Sequence, residues 1–253
     1  MAVLSPKQRE IKEREEIILR VARQVFFEQG YYGLTMAKVA ERTGCAKGTV
    51  YLHFPSKEDL IATLAYRCHE RRQAMLARTE GFRGRSRERM IAFAYAAGLY
   101  TRLYPGDIQI LHTITPSLRQ KVSKEREREF EEIERFAMGV LVSVVQNGVD
   151  EGDLDASAGM GAGELALGLW AVADGCYGLI ISGVDLSEIG VSHPYTSLMR
   201  YIHLLADSYG WRPLSTEWNY DETLRRVRQQ VFPEETQRLL ELGIPPLDKD
   251  MLG

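Results

Sequence analysis

Cysteine pairs, long uncharged apolar runs and an excess of basic residues are all missing from this 253-residue chain. Its three cysteines, Cys45, Cys68 and Cys176, are odd in number and widely spaced, which favours reduced thiols in a cytoplasm over a disulfide framework. No run approaches the ~18 uncharged apolar residues that a membrane-spanning helix needs. The N-terminus is charged and has no apolar signal core. We therefore expect a cytoplasmic protein with no membrane partner.

Signatures of catalysis and of metal binding are also missing. The chain contains no G-x-S-x-G, no H-E-x-x-H and no phosphate-binding loop. Cys68, His69 and Glu70 are consecutive, and adjacent residues of a helix point ~100° apart, so these three side chains cannot face one ion. The sequence thus predicts no enzyme, no catalytic residue, no metal site and no cofactor.

The net charge of −3 argues by itself against a nucleic-acid partner, but the charge is unevenly distributed. Residues 1–57 contain ten Lys or Arg and six Glu, a balance of +4, which leaves −7 for the rest of the chain. A mildly basic N-terminal segment attached to an acidic remainder is consistent with DNA contacts made by that segment. The asymmetry is modest, so it favours DNA binding at the N-terminus without deciding it.

Helical periodicity dominates the chain, and no segment shows the alternation of a convincing strand. The first helix is predicted over residues 11–29, with one apolar stripe formed by Ile18, Val21, Ala22 and Val25. Gly30 is placed to end this helix, and residues 31–33 are expected to be a short connection. Beyond the fourth helix, further helices are predicted near 88–103, 106–118, 121–149, 162–182, 194–209, 221–232 and 234–242.

Two short helices follow the first one. Thr35 is a good N-cap for a helix over residues 36–43, and the turn Gly44-Cys45 leads to a third helix over about 46–54. Ser56 to Asp59 then form a capping-box pattern that opens a fourth helix. Two short helices joined by a glycine-containing turn and packed on a longer helix are typical of a helix-turn-helix.

The third helix has the face that a DNA-reading helix needs. At ~100° per residue, Ala46, Val50 and Phe54 are expected to face the first two helices. The opposite side is small, apolar and hydroxylated, with donors for base edges, an apolar group for a thymine methyl and nearby phosphate contacts. The residues predicted to contact DNA are Thr35, Lys47, Gly48, Thr49, Tyr51, Leu52, His53 and Lys57.

The run LTMAKVAERTGCAKGTVYLHFPSKEDLIATL (34–64) closely resembles the N-terminal domain of the TetR/AcrR family. The shared features are T-x-x-x-V-A, then G-x-x-K-G-T-V-Y-x-H-F, then K-E-D-L. The resemblance spans about residues 12–66, roughly a quarter of the chain. Lys38 and Leu52 depart from the usual family residues, and both departures bear on which operator is read.

The resemblance implies an all-α fold with a helix-turn-helix DNA-binding domain over 1–60. It implies a larger helical domain over 61–210, which binds an effector and dimerises, and leaves 211–253 as a C-terminal helical extension. The implied function is that of a ligand-responsive transcriptional regulator, a repressor in most of the family. Such a homodimer binds palindromic double-stranded operator DNA and is released by a small-molecule effector. An enzyme built on the helical body and a dimeric adaptor without DNA binding are the alternatives.

Segments 162–182 and 194–209 are apolar and rich in small residues, which lets helices approach closely. The residues predicted for a dimer interface are Leu165, Leu169, Val172, Leu179, Leu198 and Ile202. An internal core helix is the alternative interpretation of the same pattern. The tail after Trp211 is expected to pack on the body, to lengthen the dimer interface or to cover a pocket.

An effector pocket is expected among the aromatic and polar residues of the body, although an aromatic side chain at helical spacing is more often plain core. The main candidates are Tyr66, His69, Phe93, Tyr100, His112, Trp170, Asp174 and Tyr177. Further candidates of the same kind are Tyr95, Tyr104 and Phe136.

Overall fold

The computed structural model describes residues 5–155 and 159–246, and within these residues it is all-α, with no strand. The helices are α1 (Pro6–Gly33), α2 (Met36–Thr43), α3 (Lys47–His53), α4 (Lys57–Ala77), α5 (Ser86–Leu103), α6 (Pro105–Thr113), α7 (Pro116–Arg119), α8 (Lys124–Asp150), α9 (Ala162–Ile181), α10 (Pro194–Ser208), α11 (Tyr220–Gln230) and α12 (Pro233–Glu241). The all-α prediction is confirmed. The segment predicted as one helix near 106–118 is divided into α6 and α7, because Pro116 at the start of α7 cannot continue α6.

The chain forms two compact units. The N-terminal unit combines Met1–His69 with Gln109–Ile133, and the C-terminal unit combines Glu70–Ile108 with Glu134–Gly253. Helices α4 and α8 therefore each begin in the N-terminal unit and end in the C-terminal unit. Residues 247–253 of the predicted extension and residues 1–4 of the predicted first domain lie outside the described residues.

The core of the N-terminal unit joins α1, α2, α3 and the start of α4. Ile18, Ala22 and Val25 of the predicted stripe are fully buried, and Val50 of α3 packs into the same cluster. Phe130 of α8 completes this core, so the unit includes residues far along the chain. At the start of α4, Asp59 Oδ1 accepts a hydrogen bond from the Ser123 amide at 2.9 Å, which links the beginnings of α4 and α8.

Gly30 interrupts α1 but does not end it. Its φ of 68° lies in the left-handed region, which favours glycine, and the chain regains helical geometry over the next three residues. Residues 31–33, expected as a connection, are therefore a short helical turn. The Leu34 amide then donates to the Gly30 carbonyl and closes the end of α1.

Helix α5 is the centre of the C-terminal unit, where it packs against α10, α11 and α12. Its Arg87 side chain is fully buried and donates to the carbonyls of Trp211 (2.6 Å) and Pro213 (2.9 Å). Arg87 also forms an ion pair with Asp207 at 2.6 Å. This network satisfies a charge that is costly to bury alone.

The tail after residue 210 packs on the body of its own unit. Trp211 and Phe232 are fully buried, and the Trp211 indole donates to Ser86 Oγ at 2.9 Å. Thr223 of α11 donates to Glu88 Oε1 of α5 at 2.8 Å. Of the three roles considered for the tail, the described residues show this packing directly.

Helix α9 differs from the other helices in its exposure. Of the described helices, it alone is long and apolar enough to cross a membrane, yet only 22% of its apolar window is buried. Glu164 and Asp174 interrupt this helix, so it contains no uncharged run of ~18 residues, but its mean hydropathy is high enough for a membrane-spanning helix. One such helix is weak evidence for a membrane, since a helix at a subunit interface has the same composition.

Candidate nucleic-acid interface and ligand cavity

The geometry of α2, α3 and the turn between them follows from local signals in the sequence. The Thr35 hydroxyl accepts a hydrogen bond from the Lys38 amide at 3.3 Å and caps α2. Gly44 ends α2 with a φ of 68°, and its amide donates back to the Ala40 carbonyl. These caps fix where α3 begins and which face it exposes.

The outer face of α3 combines a cation, aromatic surface and an isolated apolar group. Leu52 is 87% exposed, and Tyr51 and Lys47 are exposed beside it. The Lys47 ammonium lies 5.8 Å from the centre of the Tyr51 ring. A Cβ atom at Gly48 would meet nothing within 4 Å, so packing inside the protein does not require glycine there. We call Lys47, Gly48, Thr49, Tyr51 and Leu52 the reading face.

The inner face of α3 is narrower than expected. Val50 and Phe54 are buried, as predicted, but Ala46 is exposed. Ala46 is the N-cap residue with φ −61° and ψ 142°, which is extended, so the angular spacing of a helix does not apply to it. Thr49 is half-buried at the edge of the reading face.

The three residues predicted to contact phosphates, Thr35, His53 and Lys57, differ in exposure and in how far their neighbours constrain them. Thr35 is exposed, and its hydroxyl proton stays available to a phosphate because the hydroxyl acts only as acceptor in the cap. His53 is half-buried next to the Phe54 ring. The Lys57 ammonium lies 3.8 Å from the centre of the Tyr31 ring, and burial lowers its pKa below the ordinary lysine value. Lys57 is therefore more constrained than Lys47.

Lys38, one of the two departures from the family pattern, has a structural role in the protein. Its ammonium donates to Gln29 Oε1 at 2.6 Å and to the Gly33 carbonyl at 3.1 Å. A cation at the C-terminal end of α1 satisfies carbonyls that the helix leaves open.

A cavity lies inside the C-terminal unit, bounded by α4, α5, α8, α9 and α10. Its volume is about 540 Å³ with its open mouth included. Four predicted pocket residues line it, namely Phe93, Trp170, Asp174 and Tyr177. Sequence reasoning missed the remaining lining residues, which are Arg72, Met90, Ala94, Ala97, Leu141, Leu169, Ala173, Leu198, Met199 and Ile202.

Other predicted pocket residues lie elsewhere. Tyr66, His69 and His112 belong to the N-terminal unit, where the His69 ring packs edge-on against Phe130. Tyr100 is fully buried, and its hydroxyl donates to Asp107 at 2.7 Å. The further candidates Tyr95, Tyr104 and Phe136 are also absent from the lining of this cavity.

The six residues predicted for a dimer interface divide into two groups. Leu165, Leu169, Leu198 and Ile202 are each 3% exposed, and the last three line the cavity of their own subunit. Val172 is half-buried, whereas Leu179 is 53% exposed. The periodicity identified the apolar helices but could not assign their faces, because both faces of α9 are apolar.

Several apolar side chains of α9 and α10 are exposed, and these two helices pack on each other. They are Leu167 (53% exposed), Trp170 (40%), Leu179 (53%), Tyr201 (44%) and Leu204 (64%), and we call them the open apolar face, although Trp170 also lines the cavity. Among the described residues, no group of three or more His, Cys, Asp or Glu side chains is placed to hold a metal ion.

Comparisons with known proteins agree with the helix-turn-helix geometry. Residues 18–64 match the family of bacterial regulatory proteins called the tetR family. The fatty acid metabolism regulator protein of Bacillus subtilis is 26% identical over 137 residues, which is 54% of this chain and 69% of that protein. The transcriptional repressor AcnR of Corynebacterium glutamicum is 44% identical over 52 residues, which is 21% of this chain and only 27% of that protein.

Solved structures share the fold at low identity. A tetR-family regulatory protein from Rhodococcus RHA1 has a TM-score of 0.61 at 18% identity, covering 78% of this chain and 97% of that chain. FadR of Bacillus subtilis, solved with stearoyl-CoA, has a TM-score of 0.55 at 17% identity, covering 75% and 96%. A transcriptional regulator from Saccharomonospora viridis, solved with choline, has a TM-score of 0.60 at 18% identity, covering 78% and 96%. Residues 18–64 thus match the tetR family of bacterial regulatory proteins, and the helical fold of the described residues resembles that of solved regulators.

Proposed function

We propose that the protein is a cytoplasmic repressor that binds palindromic operator DNA as a homodimer and is released by a small-molecule effector. The reading face is the observation that carries the DNA-binding part. On this seven-residue helix, an 87% exposed leucine lies beside an exposed lysine and an exposed tyrosine. It suits the major groove, where lysine pairs with guanine and an apolar group contacts a thymine methyl.

Dimerisation is supported by the open apolar face. Leu167, Leu179 and Leu204 are each more than half exposed on neighbouring helices. Exposed apolar groups that adjoin one another mark interaction sites, and a two-fold pairing of this face with itself buries both copies. Two reading helices then reach half-sites about one turn (~34 Å) apart.

Release by an effector is supported by the course of α4 and α8. Both helices begin in the N-terminal unit, where Asp59 and Ser123 link their starts, and both contribute to the cavity in the C-terminal unit, through Arg72 and Leu141. A ligand that changes the path of these helices at the cavity changes the position of the DNA-binding unit. The coupling free energy in such switches is typically about 1–3 kcal/mol.

A gel-shift titration tests the DNA-binding proposal. Duplex DNA from the region upstream of the protein's own gene is titrated with the protein at several salt concentrations, next to a scrambled duplex. We expect a specific complex whose affinity falls as salt rises, because bound lysines and arginines release counterions. Lys47→Ala should weaken this complex by about 1–3 kcal/mol, since a base contact is lost.

The matched control is Arg135→Ala, which removes an exposed cation from the C-terminal unit. We expect its operator affinity to equal that of the wild type. Equal affinities for the wild type and Lys47→Ala would contradict the proposed reading face. An adaptor that merely dimerises would bind both duplexes equally and weakly.

A further inference from the structure

The cavity in the C-terminal unit has one positively and one negatively charged lining residue, Arg72 and Asp174, among apolar walls. The Arg72 side chain is half-buried and makes no hydrogen bond or ion pair with residues 5–155 or 159–246. Asp174, in contrast, already interacts within the protein. Of these two charged lining residues, Arg72 is therefore the one whose hydrogen-bond donors remain open to a ligand.

An unpaired guanidinium beside apolar walls is a recognition group for an anion. Removing a charge from water without a partner is unfavourable, and an incoming anion relieves that cost. The planar guanidinium presents parallel N–H donors that match the two oxygens of a carboxylate. Arg72 therefore favours a ligand with an acidic group over a neutral one.

Tyr177 supplies a second donor in the same cavity. Its side chain is buried, and burial raises the pKa of its hydroxyl, which therefore keeps its proton at neutral pH. The positive charge of Arg72 lowers the pKa of this hydroxyl, against the effect of burial, and both side chains line the same cavity. A protonated phenol and a guanidinium both donate hydrogen bonds to a carboxylate, and the Asp174 carboxylate in the same lining opposes them.

The remaining walls fit an apolar and flexible ligand body. Phe93, Leu141 and Trp170 present apolar surface, and Met90 and Met199 add side chains that readily adopt other rotamers. The empty space between these walls is about 540 Å³ even with its open mouth included, so a large ligand has to displace side chains as it enters. A slender hydrocarbon chain requires less opening than a rigid ring system.

We propose that the cavity binds an amphipathic organic acid, with its hydrocarbon chain between α5, α8 and α9 and its carboxylate on Arg72 and Tyr177. This inference rests on the effector role proposed above for the same cavity. A cationic amphiphile paired with Asp174 is the competing occupant, and it would bring its charge next to Arg72, where the two cations repel.

Isothermal titration calorimetry on the full-length protein without DNA tests the proposal. The probes are saturated fatty acids of six to sixteen carbons, with decanoate, 1-decanol and decylamine as a set matched in chain length. We expect decanoate to bind most tightly and decylamine least tightly. Arg72→Gln should weaken decanoate binding about 10-fold to 100-fold and leave 1-decanol binding unchanged, because the lost interaction is a charged hydrogen bond.

Two further variants control for folding and for charge. Arg72→Lys keeps the cation and should retain most of the decanoate affinity. Arg135→Gln removes an exposed arginine outside the cavity and should bind decanoate like the wild type. Thermal unfolding followed by circular dichroism establishes that each variant is folded.

Three results would overturn the proposal. They are tighter binding of decylamine than of decanoate, equal decanoate affinity in the wild type and Arg72→Gln, and no binding of any acid in the series. Because calorimetry is done without DNA, its outcome is independent of operator binding. Binding of decanoate through Arg72 without any release of operator DNA would contradict the effector role and leave the acid-binding cavity standing.

Discussion

The two units of this protein expose apolar side chains in different ways. On α3 of the N-terminal unit, Leu52 stands among Lys47, Thr49 and Tyr51, so apolar and donor groups alternate over a short helix. On α9 and α10 of the C-terminal unit, the exposed leucines and aromatics are spread over two longer helices that pack on each other. One surface is mixed and small, and the other is larger and mainly apolar.

This difference indicates two kinds of partner. A mixed surface with donors spaced along a helix matches the base edges and phosphates of DNA, which are polar throughout. A mainly apolar surface has few hydrogen-bond donors for DNA and is stabilised by covering another apolar surface. The comparison therefore supports our proposal that DNA contacts the first surface and a second subunit contacts the other.

The largest expected effect comes from charging the open apolar face. The double variant Leu167→Glu, Leu204→Glu places four carboxylates in the proposed dimer interface, two from each subunit. Burying unpaired charge costs about 3–5 kcal/mol for each broken site, so we expect a monomer by size-exclusion chromatography with light scattering. Operator affinity should fall at least ~100-fold, since one subunit reads only one half-site.

Leu240→Glu is the matched control for this variant. The exposed fraction of Leu240, 50%, is similar to the 53% of Leu167. Leu240 lies on α12 and does not belong to the open apolar face. It should leave the dimer intact. If the double variant remained dimeric, the proposal that a second subunit covers this face would be wrong. A wild type that is monomeric and binds detergent micelles would indicate that the face contacts a membrane instead.

The second-largest expected effect is a loss of stability of the C-terminal unit at acidic pH. Burial and the neighbouring Arg87 lower the pKa of His203 to about 4, with Asp207 acting in the opposite direction. In the unfolded state His203 has the ordinary histidine pKa of ~6.5, so between about pH 6.5 and pH 4 it is protonated in the unfolded state but not in the folded state. The free energy of unfolding therefore decreases as the pH drops through this interval. The loss is roughly 3 kcal/mol, measured by chemical denaturation at several pH values.

His203→Gln should flatten that pH dependence in the same interval, since glutamine does not titrate. The pKa of Asp207 is also lowered, with Arg87 and Ser215 favouring its charged form against burial, so some loss of stability toward low pH remains in the variant. An unchanged slope in His203→Gln would show that this histidine is accessible to protons in the folded protein.

A smaller effect is expected on the reading face. Leu52→Ala keeps α3 folded, because Leu52 is exposed and packs on nothing, and removes its proposed contact with a thymine methyl. We expect a loss of about 1 kcal/mol at one base pair of each half-site, detected by fluorescence anisotropy with single-base operator variants. A uniform loss at every position would mean that Leu52 acts on folding instead of base recognition.

The smallest effect separates Lys38 from the DNA contacts. Lys38→Met removes the hydrogen bonds to Gln29 and to the Gly33 carbonyl. Because the site is half-buried, we expect about 1 kcal/mol of stability to be lost, seen as a lower melting temperature. The salt dependence of DNA binding should keep its wild-type slope, and a reduced slope would make Lys38 a phosphate contact.

Local signals carried most of what the sequence could predict. The caps at Thr35 and Gly44 and the spacing of Val50 and Phe54 specify α2 and α3, because each depends on residues only a few positions apart. The role of Arg72 depends on α5, α8, α9 and α10 meeting around it, and no short-range pattern encodes that meeting. The sequence did not predict that Leu169, Leu198 and Ile202 line the cavity for the same reason, since periodicity cannot distinguish two apolar sides of one helix.

Selection of binding sites from a pool of random DNA duplexes tests the central claim most directly, because the protein itself chooses its sequence from all those offered. We predict that the wild type enriches an inverted repeat whose half-sites lie about one helical turn apart, and that Lys47→Ala enriches a repeat with relaxed preference at one position. Recovery of unrelated duplexes with no shared repeat would contradict the assignment of α3 as a DNA-reading helix.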